Sequence, residues 1–166
     1  MNNKIKGTAC PPVGSQLLRN PAFEENFAFW NGANSILIRI PRLIHKGRAA
    51  ALLGKNSTKT AFIRQRGIAV GRGCGLRLSV FLRKAQVQKN TIVLVRLSFR
   101  NSRGKLIGLP VEVRIPGPIL PAVYVPFFTE VTTPAGTATA TVTVAKLGSG
   151  SVLVDNVALI SVPPIA

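Results

Sequence analysis

Acidic side chains are scarce in this chain of 166 residues. Five Asp and Glu stand against 22 Lys and Arg, so the formal net charge is +17. This imbalance predicts a salt-sensitive attraction to polymers that carry phosphate, sulfate or carboxylate groups. The hydrophobic fraction of 46% excludes a disordered polyelectrolyte. The length suits one domain that buries its own core.

Histidine, tryptophan and tyrosine occur once each, and cysteine occurs twice. One histidine and two cysteines do not supply the ligands of a structural zinc site. No stretch approaches the about 18 apolar residues of a transmembrane helix, so we expect no membrane insertion. The first ten residues carry two lysines without an apolar run behind them, which does not match a secretory signal peptide.

The few carboxylates also argue against catalysis. Glycoside hydrolysis commonly uses two positioned carboxylates, and Glu112 and Glu130 lie on different predicted strands with no pattern that pairs them. A serine triad would have to recruit His45 and Asp155 without a nucleophile elbow. The glycine-rich run 71–75 has no helix after it and therefore predicts a turn, not a phosphate loop. We expect that the protein is not an enzyme.

Along most of the chain, every second residue belongs to one chemical class and the residues between them belong to another. In segment 76–83, for example, the even positions are Leu or Val, and the odd positions include Arg77 and Arg83. Gly, Pro and Asn clusters interrupt such segments at short intervals. The pattern predicts an all-β fold, a two-sheet antiparallel β-sandwich of roughly ten strands. The predicted strands lie near 16–19, 27–31, 35–40, 48–54, 60–70, 75–86, 91–100, 105–115, 124–133, 137–147 and 151–161.

The ends of the chain differ from its middle. We predict a flexible N-terminal arm over residues 1–15, a jelly-roll domain over 16–162 and a C-terminal tail over 163–166. Cys10 lies in a Pro- and Gly-flanked part of the arm, and Cys74 lies in a glycine-rich turn. Two separate thiols, a disulfide within the chain and a disulfide between subunits all remain open.

Arginine is the residue that the predicted strands carry in quantity. Strand alternation places Arg64 with Arg66, Arg77 with Arg83, and Arg96 with Arg100 on shared faces. Neighbouring strands would combine these side chains into a guanidinium field on one sheet, which suits carboxylate, phosphate and sulfate. The alternative is a solvated outer face. Tyr124 is a candidate ligand aromatic, while Trp30 is expected in the core.

Three local patterns resemble one family. They are Leu17–Glu24 followed by Trp30, the segment His45–Leu52, and the closing segment Val152–Leu159. In this order they resemble the carbohydrate-binding-module type of galactose-binding-like jelly roll, of the stand-alone kind seen in spore-forming Firmicutes. The resemblance covers residues 16–162 and implies a jelly-roll topology for the sandwich.

The resemblance also implies a structural calcium ion between the first and last strands. The matching acidic positions are Glu24 and Asp155, with backbone carbonyls near Asn20 and Lys46 as further ligands. Calcium prefers several hard oxygen ligands, at least one of them anionic. The alternative is a salt bridge or a hydrogen-bonded pair, in which a basic side chain such as Lys46 or Arg48 takes the place of the ion.

Three functional hypotheses follow. The first is a non-catalytic structural protein of a bacterial cell surface or spore layer. It would be extracellular and would self-assemble as a homo-oligomer through the jelly-roll body and the arm that bears Cys10. It is favoured because exposed aromatic platforms for sugars are few. The alternative is a carbohydrate-binding module for anionic glycans that uses the arginine face. The second alternative is a capsid-like jelly roll that coats nucleic acid, which the dispersed basic residues disfavour.

Overall fold

The computed structural model describes residues 9–165, and nearly all of their regular structure is β. Two single 3-10 turns, Pro41–Leu43 and Gly117–Ile119, are the helical elements of this part of the chain, and neither could cross a membrane. The prediction of an all-β fold with roughly ten strands is confirmed. The strands are β1 (Asn31–Ala33), β2 (Ser35–Ile38), β3 (Ala50–Leu53), β4 (Ala61–Ala69), β5 (Gly75–Val87), β6 (Ile92–Arg100), β7 (Leu106–Pro116), β8 (Val125–Thr132), β9 (Thr139–Leu147) and β10 (Gly150–Val162).

The strands form two five-stranded sheets. The first sheet has the order β1-β4-β9-β6-β7, and the second sheet has the order β2-β3-β10-β5-β8. Every pair of neighbours is antiparallel. The two-sheet antiparallel sandwich is therefore confirmed as well.

The core lies between the sheets and follows from the alternation of the strands. Successive side chains point to opposite faces of a sheet, so every second residue of β5 and β6 turns inward. These inward residues are almost completely buried: Leu76, Leu78, Val80 and Leu82 of β5 and Val93, Val95, Leu97 and Phe99 of β6. The arginines between them consequently lie on the outer faces of the sandwich.

The segment from Pro11 to Leu17 lies along the C-terminal half of β10. Gly14 N donates a hydrogen bond to Ser161 O at 2.7 Å, and Leu17 N donates to Leu159 O at 2.8 Å. Strand β3 pairs only with Val152–Val154 of β10, so the N-terminal segment takes the place beside the rest of that strand. This part of the predicted flexible arm is docked on the domain. Residues 1–8 of the predicted arm lie outside the described residues.

A disulfide joins Cys10 to Cys74, with the two Cα atoms 5.4 Å apart. Of the alternatives that the sequence left open, the structure has the bond within one chain. Cys74 is fully buried immediately before β5. The disulfide therefore attaches the N-terminal segment to the second sheet at a second place, beyond the hydrogen bonds to β10.

A compact loop precedes β1 where a strand was predicted near 27–31. The side chain of Asn20 donates to Asn26 O and Ala28 O, at 2.9 and 3.1 Å. Trp30 is buried as expected, and its indole N–H donates to Asn20 O at 2.9 Å. Because these bonds satisfy the loop backbone, the chain does not extend, and Phe29 takes a φ of 68°. This bend presents the Phe29 ring to solvent.

Lys146 of β9 is a buried cation. Its side chain is 0% exposed, and its Nζ donates to the carbonyls of Ser57, Lys59 and Gly148 at 3.2, 2.6 and 2.8 Å. Burial lowers the pKa of Lys146 because the charged form is desolvated. The three bonds hold the β3–β4 loop against the β9–β10 turn.

Candidate functional site

The outer face of the first sheet carries a groove. In strand register, one row of residues crosses all five strands: Asn31, Arg64, Thr143, Arg96 and Glu112. The central strand β9 contributes short threonines, while β4 and β6 on either side contribute long arginines. The face is therefore low in the middle and high on both flanks. We call it the guanidinium groove, and define it by Arg64, Arg66, Arg96, Arg100, Thr141 and Thr143.

Arg64 is held in a fixed position within the groove. Its Nε donates to Thr143 Oγ1 at 3.2 Å, and its guanidinium lies 4.8 Å from the centre of the Phe62 ring. Burial lowers the pKa of Arg64, and the nearby charges of Arg66 and Arg96 lower it further. The guanidinium stays protonated at neutral pH all the same, so the arginines repel one another until an anion is present.

The groove has more cations than anions. Arg96 Nε donates to Glu112 Oε1 at 2.7 Å, and the two side chains form an ion pair. Within residues 9–165, no carboxylate lies within salt-bridge distance of Arg64, Arg66 or Arg100. Three guanidinium groups thus have no carboxylate partner, and their remaining N–H donors suit planar anions. Arg100 also donates to Gly104 O at 2.7 Å.

An exposed aromatic ring lies beside the groove. Phe29 is 50% exposed, and it lines a depression together with Arg66 and Arg19. The Arg19 guanidinium lies 5.0 Å from the centre of the ring. Sequence reasoning considered Trp30 and Tyr124 and missed Phe29, because its exposure depends on the bend imposed by Asn20. The sequence signal nearest to this bend is the Asn20-Pro21 pair, which lies before the predicted strand 27–31 and indicates a turn.

The predicted guanidinium field does not lie on one sheet, and this prediction is corrected. Arg77 and Arg83 belong to β5 in the second sheet, on the opposite side of the sandwich. Arg77 Nε donates to Glu130 Oε1 at 2.7 Å on the neighbouring strand. Arg83 donates to Arg42 O at 2.7 Å. Periodicity assigns each arginine to an outer face, but only the strand order decides which of the two faces it is.

Tyr124 is not a free ligand platform, which corrects a second prediction. Its hydroxyl donates to Leu43 O at 2.7 Å, and its ring lies 5.4 Å from that of His45. Burial raises the pKa of Tyr124, the Asp155 carboxylate raises it further, and Arg83 opposes both. The side chain supports the loop between β2 and β3.

Glu24 and Asp155 both bind that same loop. Asp155 Oδ2 accepts hydrogen bonds from the N–H groups of His45 and Lys46, each at 3.0 Å, and its Oδ1 accepts one from Asn156 at 2.7 Å. Glu24 Oε1 accepts from Arg48 N at 2.7 Å, and its Oε2 lies 3.4 Å from Arg48 Nε. The two carboxylates therefore hold the segment His45–Arg48 against the sandwich.

The donor atoms around these carboxylates do not fit a calcium ion. Calcium needs six or more oxygen ligands, whereas N–H groups face both carboxylates here. The carbonyl of Asn20, another implied ligand, accepts the indole N–H of Trp30. In the described part of the chain, no group of three or more His, Cys, Asp or Glu could hold a metal. The arrangement has the form of the hydrogen-bonded alternative, and calcium stays a prediction.

The fold is shared with solved carbohydrate-binding modules. No family model matches the sequence, and no curated protein does. The domain is similar to TmCBM61, solved with β-1,4-galactotriose (TM-score 0.64, 16% identity, 89% of this chain and 99% of that one). It is similar to the C-terminal family 22 carbohydrate-binding module of Clostridium thermocellum Xyn10B (0.64, 12%, 95% and 99%). It also resembles part of the enzymatically active domain of bacteriophage CBA120 tailspike protein 4 (0.73, 13%, 89%), of which it spans 21%.

Proposed function

We propose that this chain is a non-catalytic binding module for anionic polysaccharides, and that the guanidinium groove holds the polymer. The observation that carries the proposal is the set of three guanidinium groups without a carboxylate partner, Arg64, Arg66 and Arg100, along a threonine floor. The fold supports it, because solved modules of the same fold include one that holds β-1,4-galactotriose.

The side chains of the groove suit sugar acids. Threonine hydroxyls donate and accept hydrogen bonds, as sugar hydroxyls require, and guanidinium forks match carboxylate or sulfate groups. The groove crosses the neighbouring strands β4, β9 and β6, so it presents several guanidinium groups side by side, as a polymer with repeated charges requires. Phe62 and Phe29 supply apolar ring surface beside the arginines. None of the five acids in the chain is needed for this role.

Binding to immobilised polymers tests the proposal. We expect polygalacturonate to bind, and neutral β-1,4-galactan to bind at least about tenfold more weakly, because each charge-assisted hydrogen bond contributes about 1.5 kcal/mol or more. Raising the salt concentration should weaken binding without abolishing it. Equal affinity for the neutral and the acidic polymer would overturn the proposal.

Paired variants locate the site. The double variant Arg66→Gln with Arg100→Gln should weaken polygalacturonate binding by about a hundredfold, since two guanidinium contacts are lost. The control is Arg72→Gln with Lys89→Gln, which removes the same charge from exposed loops outside the groove. If the control loses as much affinity as the groove variant, the attraction is a property of net charge and not of the groove.

The other two functional hypotheses keep less support. Self-assembly through a disulfide of Cys10 between subunits loses support, because Cys10 is bonded to Cys74 of the same chain. Coating of nucleic acid is an outcome of the same assay: single-stranded DNA that competes at the affinity of polygalacturonate would favour it over glycan binding. The disulfide supports the proposed extracellular or cell-surface location, since such bonds persist in oxidising compartments.

A further inference from the structure

The second sheet carries a cleft of its own, on the side of the sandwich opposite the guanidinium groove. Its floor is aliphatic: Leu52 of β3 and Leu153 of β10 are register partners across the centre of the sheet. Ile38 at the end of β2 and Leu43 within the β2–β3 loop add to one wall. The cleft has about 530 Å³ of space, which is within the range of small-ligand sites.

Small residues explain why the outer face is hollow here. Gly54, Ser151 and Ala85 line the cleft next to the two leucines. Gly54 has a φ of +99°, and a Cβ at this position would lie 2.6 Å from Gly150 O, so a larger residue is not accommodated here. The hollow is therefore built into the sheet, and no side chain movement is needed to open it.

The rim of the cleft is cationic. Arg83, Lys84 and Lys55 line it, and no Asp or Glu does. Arg83 is the register partner of Leu153, so the row across the sheet runs from two aliphatic side chains to a guanidinium. Its Nε is buried and has no hydrogen-bond partner in residues 9–165, while another of its nitrogens donates to Arg42 O. The acidic residue of the neighbouring row, Asp155, faces the N–H groups of His45 and Lys46 and forms no salt bridge with Arg83.

We propose that this second-sheet cleft binds a small amphiphilic anion, with an aliphatic body on Leu52 and Leu153 and a carboxylate or sulfate on Arg83. The charge of the rim selects an anion, and the orphaned Nε supplies a donor that the folded chain leaves unused. The floor lacks aromatic rings, so it favours an aliphatic body over a stacked sugar ring. The site is independent of the guanidinium groove.

Titration calorimetry with three probes of matched size tests the proposal. Octanoate has both features, 1-octanol lacks the charge, and octylamine has the opposite charge. We expect octanoate to bind at least about tenfold more tightly than 1-octanol, and octylamine not to bind. Methyl resonances of Leu52 and Leu153 should shift with octanoate. Shifts that fall on Thr141 and Thr143 instead would place the anion in the groove and overturn the proposal.

Variants divide the cleft into its two parts. Leu52→Thr keeps a strand-forming residue and should weaken octanoate binding, because apolar contact is lost. Arg83→Gln should weaken it by about tenfold. Lys55→Gln with Lys84→Gln serves if Arg83→Gln does not fold. The control is Arg77→Gln, on the same strand and the same outer face but outside the cleft.

Three further outcomes would overturn the proposal. The first is equal binding of octanoate and octylamine, and the second is an Arg77→Gln variant that loses as much affinity as Arg83→Gln. The third is a dimer that forms with rising concentration in sedimentation experiments and buries Leu52 and Leu153. A second copy of the chain would then occupy the cleft. None of these results depends on polygalacturonate binding, so failure here and failure of the proposed function are distinguishable.

Discussion

The outer faces of the two sheets differ in what covers them. The second sheet holds the docked N-terminal segment, the disulfide and the carboxylate-bound loop His45–Arg48. The first sheet has no such additions in its centre, and its arginines lie open around short threonines. The difference is one of coverage: the second sheet carries these stabilising contacts beside its cleft, and the first sheet leaves its row of arginines uncovered.

Each sheet has one arginine that is paired with a carboxylate of a neighbouring strand. On the second sheet Arg77 has a carboxylate partner in Glu130, and Arg83 has a carbonyl partner. On the first sheet only Arg96 has a carboxylate partner among the described residues. A chain with five acids cannot neutralise 22 basic residues, so which arginines receive a partner is informative. The guanidinium groove holds three of the arginines that lack a carboxylate partner.

Removing the disulfide should have the largest effect on stability. Cys10→Ser opens a covalent loop with a sequence separation of 64 residues, and loop-closure entropy predicts a loss of about 4 kcal/mol in the free energy of unfolding. Urea denaturation measures it. Polygalacturonate binding to the folded variant should not change, because Cys10 belongs to the second-sheet side. A loss below about 1 kcal/mol would show that the hydrogen bonds to β10 suffice.

Asp155→Ala should cost about 3 kcal/mol in the free energy of unfolding, since three N–H groups lose their acceptor at a buried position. Glu24→Ala is the matched comparison and should cost only about 1 kcal/mol, because Glu24 and its partner Arg48 are exposed. Thermal or urea denaturation gives both values. Equal losses would contradict the view that burial separates the two carboxylates.

Two glutamate variants test whether the release of an arginine from its ion pair affects polymer binding on one outer face only. Glu112→Gln releases Arg96 into the groove and should raise the affinity for polygalacturonate about threefold to tenfold. Glu130→Gln releases Arg77 on the other sheet and adds the same net charge. It should leave the affinity within about twofold, because Arg77 lies outside the groove. Equal gains would mean that net charge alone controls binding.

The pH dependence of stability isolates Asp155. Burial raises its pKa above the ordinary 3.8, although the N–H groups of Lys46, Asn156 and His45 oppose the shift. The folded state then holds the proton more tightly than the unfolded chain. The pH-dependent part of the contribution of Asp155 to stability is therefore greatest below pH 3.8 and is lost as the pH rises through its folded pKa. Urea denaturation of the natural chain and of Asp155→Asn, compared from about pH 3 to about pH 7, should show this decline in their difference. If the difference in stability between the two proteins grows with pH, the hydrogen bonds lower the pKa of Asp155 by more than burial raises it.

The addition of calcium should have the smallest effect on the stability of the protein. The carboxylates of Glu24 and Asp155 face N–H donors, so we expect the same melting temperature in calcium and in chelator. An ion at a hundred times its dissociation constant would add about 2.7 kcal/mol, which calorimetry detects easily. A rise of that size would restore the calcium ion that the family resemblance implies.

The sequence predicted the sandwich because alternation reports directly on which side chains are buried. The inward residues of β5 and β6 are those that the pattern separates from Arg77, Arg83, Arg96 and Arg100. The same pattern could not assign the arginines to sheets, since that depends on long-range strand order. It also missed Phe29 and misjudged Tyr124, because the exposure of both is decided by loops. Asn20 and Leu43, which set those loops, act through hydrogen bonds between side chain and backbone that leave no periodic trace.

The ammonium group of Lys146 is enclosed by backbone carbonyls, so its reactivity should differ from that of the exposed lysines. An acylating reagent needs a free, deprotonated amine, and this one is enclosed by three carbonyls. Lysines on the surface would react within the folded state, whereas Lys146 would react only when the β3–β4 loop and the β9–β10 turn separate. Mass spectrometry of its modification over time would therefore measure the opening rate of the folded domain, without any introduced probe.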